Sequence, residues 1–348
     1  MQFVTQVLEN SWAQKARDRM LVISLALLMV TIAAGTANAQ PQSTDSLSPA
    51  IAALYHSGSY DAAADQLRAR LARNANDALS NYWLGRCLFE MDDFDGAISA
   101  LKRAVALEPG SSEYHQWLGR AYGRKAEKSS GFAALSVAKK CKKEFDLAVQ
   151  LDPQNIKAQR DLIEFIADAP SDLGGGEERG LEQIQALSAL DELQGRLALA
   201  DFHAERKKYA QSDAEYQAIL ESSPETTDAW LEIADYFRGR GNATRIAQAV
   251  AGAENADASD RRLSYYRGTA LVLANRDFDA AEKFLQTYID TVPENSELPS
   301  HSSAYAYLGK LSENRSQPER AIQQYTKALE LNHDNRMAKQ RLKALQKH

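Results

Sequence analysis

A pattern of apolar and small residues returns along the chain about every 34 positions. From Asn81 it reads Asn-Tyr-Trp-Leu-Gly-Arg-Cys-Leu, followed by Phe94-Asp95-Gly96-Ala97, Leu101, Ala104 and Pro109. From His115 it reads His-Gln-Trp-Leu-Gly-Arg-Ala-Tyr, with Phe145, Ala148 and Pro153 behind it. Tyr305-Ala306-Tyr307-Leu308-Gly309 leads in the same way to Ala321, Tyr325 and Ala328, and Trp230, Ile233, Ala234 and Phe237 repeat the first part. Apolar positions three and four apart line one helical face, so each copy predicts two antiparallel helices that cannot bury their faces alone. A small residue inside the first helix (Gly85, Gly119, Ala200, Ala234, Gly309) lets the second approach closely, and Ala97, Ala281 and Ala321 answer from the other side. Pro109, Pro153, Pro224 and Pro293 end the second helix, because proline cannot continue the hydrogen-bond ladder.

This pattern resembles the tetratricopeptide repeat (TPR), W-x2-L-G-x2-Y, then A-x3-F, then Pro. The resemblance implies an all-α fold, a right-handed α-solenoid of about eight helix-turn-helix units. In register, the units run 44–77, 78–111, 112–155, 156–192, 193–226, 227–260, 261–301 and 302–335. The first and fourth match weakly, with Arg70 where a small residue is wanted and Gly180 at the Ala position of the fourth. Residues 336–348 carry Leu342 and Leu345 on one side and Lys339, Arg341 and Lys343 on the other, which suits a solvating capping helix.

Two units carry extra residues between their two helices. In the third, Gly119 and Cys141 stand 22 positions apart where the pattern allows about 12. The extra residues form either a lengthened hairpin in which Phe132 and Leu135 pack locally or a protruding contact element. In the fourth, Ala169-Pro170-Ser171-Asp172-Leu173 precedes Gly174-Gly175-Gly176. A flexible turn explains the glycines; exposed N–H groups beside Arg179 would instead suit an anion, although no phosphate-loop motif accompanies them.

The first residues belong to a different object. Lys15, Arg17 and Arg19 precede an apolar run from Met20 to Ala34, and Ala37-Asn38-Ala39 follows. A basic start, an apolar stretch and an A-x-A site describe an export signal, and the run is short for spanning a bilayer. Residues 1–39 are therefore expected to be removed, with 40–43 a short linker and the mature chain periplasmic or secreted without stable membrane insertion. An uncleaved anchor is the alternative. The chain looks like exported bacterial TPR proteins.

Composition narrows the function. Of 348 residues, 44% are apolar and 25% charged, which excludes a wholly disordered or collagen-like chain. The net charge of −6 supplies no basic field for nucleic acid. The six histidines are scattered, and neither H-E-x-x-H, G-x-S-x-G nor G-x-G-x-x-G occurs, so no cofactor, metal or catalytic set is expected. Cys87 and Cys141 fall in helices separated by two others and are expected to be separate, buried thiols rather than a bridge.

In TPR arrays the inner surface is lined mainly by the first helix of each unit. By that resemblance the groove contains Tyr82, Arg86, Phe89, Gln116, Arg120, Arg124, Lys157 and Arg160, a basic patch with aromatics. It then turns acidic at Glu164, Asp201, Glu205, Asp228 and Asp235. Arginine forks and rings suit a carboxylate-bearing protein or peptide segment. The chaperone-binding TPR clamp has Asn where Arg86 and Arg120 stand, so its specificity does not transfer. The expected function is a non-enzymatic exported adaptor. The alternatives are an assembly factor for polysaccharide export or outer-membrane biogenesis, and an enzyme with a site on the inserts.

Overall fold

The computed structural model describes residues 47–346. The expected export signal at 1–39, the linker at 40–43 and the first residues of the first unit lie outside the described residues. Among the described residues every regular element is helical, and none of the helices is long and apolar enough to cross a membrane.

Eight helix pairs follow one another: α1 Pro49–His56 with α2 Tyr60–Arg73, α3 Ala78–Glu90 with α4 Phe94–Leu107, α5 Ser112–Glu127 with α6 Gly131–Leu151, and α7 Ile156–Asp168 with α8 Glu177–Leu190. The array continues with α9 Glu192–Glu205 and α10 Tyr209–Glu221, α11 Thr227–Gly239 and α12 Ala243–Ala256, α13 Leu263–Ala274 and α14 Phe278–Thr291, and α15 His301–Asn314 and α16 Pro318–Leu331. Helix α17, Arg336–Leu345, caps the end, tied back by Arg341 to Glu313 of α15. The solenoid expected from the repeat pattern is the fold observed.

Local sequence explains the punctuation. Asp77, Asp93, Ser111, Asn155, Asp191, Thr226, Asn242, Asp277, Ser300 and Asn335 each accept a backbone N–H at the start of a helix, which satisfies one of its orphan donors. The turns inside the pairs place a residue in the left-handed region at Gly58, Asp92, Lys207, Gly241, Asn275 and Ser316. Lys207, Gly241 and Asn275 recur at intervals of 34, whereas Ser316 follows Asn275 by 41. The difference lies in the linker between α14 and α15.

Burial of one face of every helix holds the array together. The core follows the array as four successive clusters, from Ile51, Tyr55 and Leu67, through Trp117, Phe145 and Phe202, to Trp230, Tyr265 and Tyr288, and last Tyr325. Each such side chain stabilises the fold by about 1.5–3 kcal/mol relative to exposure. Two glycines show how closely the helices approach: a Cβ at Gly119 would stand 2.5 Å from the Phe145 ring, and one at Gly309 2.6 Å from Tyr325.

Both long units resolve differently from a simple lengthened turn. The α5–α6 hairpin projects its tip, and Phe132 is 91% and Leu135 39% exposed, so neither packs locally as one expectation held. The three glycines before α8 do not make an open, flexible turn. Gly174, Gly175 and Gly176 donate their N–H groups to the carbonyls of Ser171, Pro170 and Ile166, and a Cβ at Gly175 would lie 1.7 Å from the Ala169 oxygen. With those donors consumed, no anion cradle remains there. Cys87 and Cys141 are free, buried in different core clusters, and burial pushes each thiol up to about 12.

Candidate partner groove

The inner face is built from α3, α5, α7, α9 and α11, whose polar side chains meet across pair boundaries. Arg120 on α5 makes a fork to Asp161 on α7, with Nε 2.7 Å from Oδ2 and a terminal nitrogen 3.1 Å from Oδ1. Gln116 donates to the same carboxylate at 2.7 Å. Arg160 on α7 reaches both Asp201 on α9, at 2.5 Å, and Glu232 on α11, at 2.5 and 3.0 Å. The basic patch expected from sequence is therefore cross-braced by carboxylates of neighbouring pairs.

The remaining predicted residues divide into wall and core. Tyr82 is buried, stacked on Tyr114 with its hydroxyl donating to Glu113 at 2.5 Å, and Phe89 is buried edge-on to Phe94 and Trp117. Both support the groove from behind rather than line it. Arg86 is held in an aromatic cage, 4.3 to 4.8 Å from the rings of Trp117, Trp83 and Tyr55. Its Nε is buried without a hydrogen-bond partner. Arg124 and Lys157 are exposed; Arg124 pairs with Glu127 on its own helix.

The acidic half is also real. Glu164 stands near Asp161, Asp201 and Glu205, and its carboxyl is pushed up to about 7, chiefly by burial and then by those neighbours. Asp228 and Asp235 are each matched by an arginine, Arg262 and Arg238, so their charge is largely spent locally.

One occupant of the basic end was not foreseen. The linker between α14 and α15 crosses to the first three pairs, although it lies more than 170 positions away in sequence. Tyr60 donates its hydroxyl to the Glu294 carbonyl at 2.8 Å and accepts from Asn295 at 3.1 Å. Glu90 accepts both the N–H and the hydroxyl of Ser296, each at 2.8 Å. Arg120 donates its remaining terminal nitrogen to Glu297 at 2.9 Å. The one signal for this contact in the sequence is the length of the seventh unit, 261–301, which at 41 residues exceeds the 34-residue interval.

Residues 54–121 match the family model described as tetratricopeptide repeat. Among solved structures, the crystal structure of yeast Tom70 is similar over 83% of this chain at 14% identity and a TM-score of 0.55, which shows the fold alone. This chain spans 59% of the length of that one. A tetratricopeptide repeat protein from Parabacteroides merdae ATCC 43184 aligns over 85% of this chain and 96% of its own, at 13% identity and a TM-score of 0.45. No curated protein matches the chain. TPR arrays generally serve as protein-interaction scaffolds, and among the described residues no group of three metal-ligating side chains comes together.

Proposed function

We propose that the protein is an exported, non-enzymatic TPR adaptor that holds an acidic segment of a partner protein in its inner groove. The observation that supports this reading is the seating of Glu294 to Glu297 against Tyr60, Glu90 and Arg120: the groove already holds one carboxylate-bearing segment, folded in a turn. Export rests on the basic residues, apolar run and A-x-A site before Gln40. An adaptor needs no reactive group, only a rigid surface whose donors are held in place, and the cross-braces of Arg120 and Arg160 supply that rigidity.

The test places a photoreactive residue at Arg124 or Lys157 in the groove, and at Lys102 or Gln248 on the outer helices as controls. Native cell-envelope crosslinking followed by mass spectrometry is expected to recover partner proteins from the groove positions only. Equal recovery from both sets, or groove crosslinks that persist after charge reversal at Arg86, Arg120 and Arg124, would sink the reading.

A further inference from the structure

The linker at 293–299 meets the groove on a turn, in which the Leu298 N–H donates to the Asn295 carbonyl at 3.1 Å and the Glu297 N–H to the Asn295 side chain at 2.8 Å. One main-chain carbonyl is bound by Tyr60, one main-chain N–H and one hydroxyl by Glu90, and one carboxylate by Arg120, in register along four consecutive residues. The hydroxyl, the carboxylate and the Asn295 amide that donates to Tyr60 depend on side-chain identity. At its first residue, Pro293 lies against Gly58, where an added Cβ would come within 2.9 Å of the proline Cβ. Burial alone would raise the Glu297 carboxyl. The hydrogen bond from Arg120 and the charges of Arg120, Lys157 and Arg86 outweigh it and hold the carboxyl below the usual range. The basic end of the groove is thus electrostatically fitted to a carboxylate at this position.

We propose that this linker is a built-in occupant of the partner site: the basic end of the groove reads a Ser-Glu or Thr-Glu step presented on a turn within an acidic segment of another protein, and that segment must displace Ser296-Glu297 to bind. The inference rests on the groove being the partner surface, and it adds the recognition element and the competition. A tethered segment acts at an effective concentration of about a millimolar. It therefore masks a free segment whose intrinsic Kd is about 10–100 micromolar by roughly 10- to 100-fold.

The experiment uses a fluorescein-labelled peptide, Pro-Glu-Asn-Ser-Glu-Leu-Pro, the sequence of residues 293–299, titrated by polarisation into the full chain. Ser296 and Glu297 are exposed, so the variant Ser296→Ala/Glu297→Ala frees the site without touching the core. It is expected to bind the peptide at least tenfold more tightly than the unaltered chain. Adding Lys157→Glu to that variant should weaken binding severalfold at low salt, and adding Arg120→Gln should weaken it more. Equal binding by freed and unaltered chains, or no effect of either groove substitution, overturns the proposal. So does a concentration-dependent dimer of the unaltered chain that the Ser296/Glu297 variant loses, because the linker would then be exchanged between copies. Groove-restricted crosslinks would survive any of these failures, so the adaptor reading and the competition fail separately.

Discussion

The α5–α6 hairpin and the α14–α15 linker both carry residues beyond the 34-residue interval, and they end in opposite environments. The hairpin extends its own two helices and leaves Phe132 91% exposed. The linker abandons its helices, and its Tyr60 contact joins residues 234 positions apart. Chemistry separates them. The hairpin tip, Gly131-Phe132-Ala133-Ala134-Leu135, has no charged group to direct it, whereas Glu294-Asn295-Ser296-Glu297 carries donors and acceptors at successive residues and faces a basic, aromatic wall. An insertion thus becomes a long-range contact when its polar groups find matching partners, and otherwise remains a local extension.

The sharpest way to break this comparison uses two glycines. Gly58 (φ +78°) faces Pro293 of the linker, and Gly131 (φ +57°) begins the projecting hairpin with open space around it. Valine at either position meets left-handed strain of about 1–2 kcal/mol. Only at Gly58 does it also press on a docked segment, so Gly58→Val should exceed Gly131→Val by roughly 1–2 kcal/mol in urea unfolding. The excess should vanish when residues 293–298 are removed. Equal losses at the two sites would mean that the linker contributes nothing to the array.

A smaller effect comes from pH. The lowered Glu297 carboxyl contributes stability that is present above its ordinary value of about 4.3 and lost as the pH falls through its folded value. Glu90 is shifted the other way: burial raises it, against the two hydrogen bonds from Ser296, so it takes up its proton first on acidification. The linker should therefore be seated at pH 7 and loosen only as the pH falls below the ordinary glutamate value of about 4.3, where protonation of Glu297 weakens its docking by at most about 1 kcal/mol. Hydrogen exchange at the Ser296 amide, corrected for its intrinsic rate, reads this directly. Protection that persisted unchanged at pH 3.5 would show that neither carboxylate matters.

Much of this molecule was legible in the sequence because a repeat is a short-range object. Trp117, Gly119 and Phe145 belong to one helix pair, and their spacing alone implies the close approach that the fold displays. The groove was half legible. The helical register put Arg120 and Arg160 on the inner face, but their partners Asp161, Asp201 and Glu232 lie 41 to 72 positions away, and pairing across units depends on how each pair leans on the next. Tyr82 and Phe89 were misplaced for a related reason, since an aromatic near the edge of a helical face is buried or exposed according to its neighbours' rings. The linker was illegible in its destination. Its extra length could be counted, but where it lands sums the small rotations of up to six successive interfaces, which no local pattern encodes.

The smallest effect tests the other insertion. If the hairpin tip is only a local extension, Phe132→Ser should change the unfolding midpoint hardly at all, by less than about 0.5 kcal/mol, because the ring is already in water. It should also leave the Ser296 amide protection untouched, because Phe132 takes no part in the linker's hydrogen bonds. A loss above about 1 kcal/mol would mean that the ring spends its time packed on a neighbouring surface. An unchanged midpoint with fewer crosslinked partners would instead make the tip a second contact point of the adaptor. The two insertions would then both serve binding, one by offering an apolar ring and the other by withholding a charged groove.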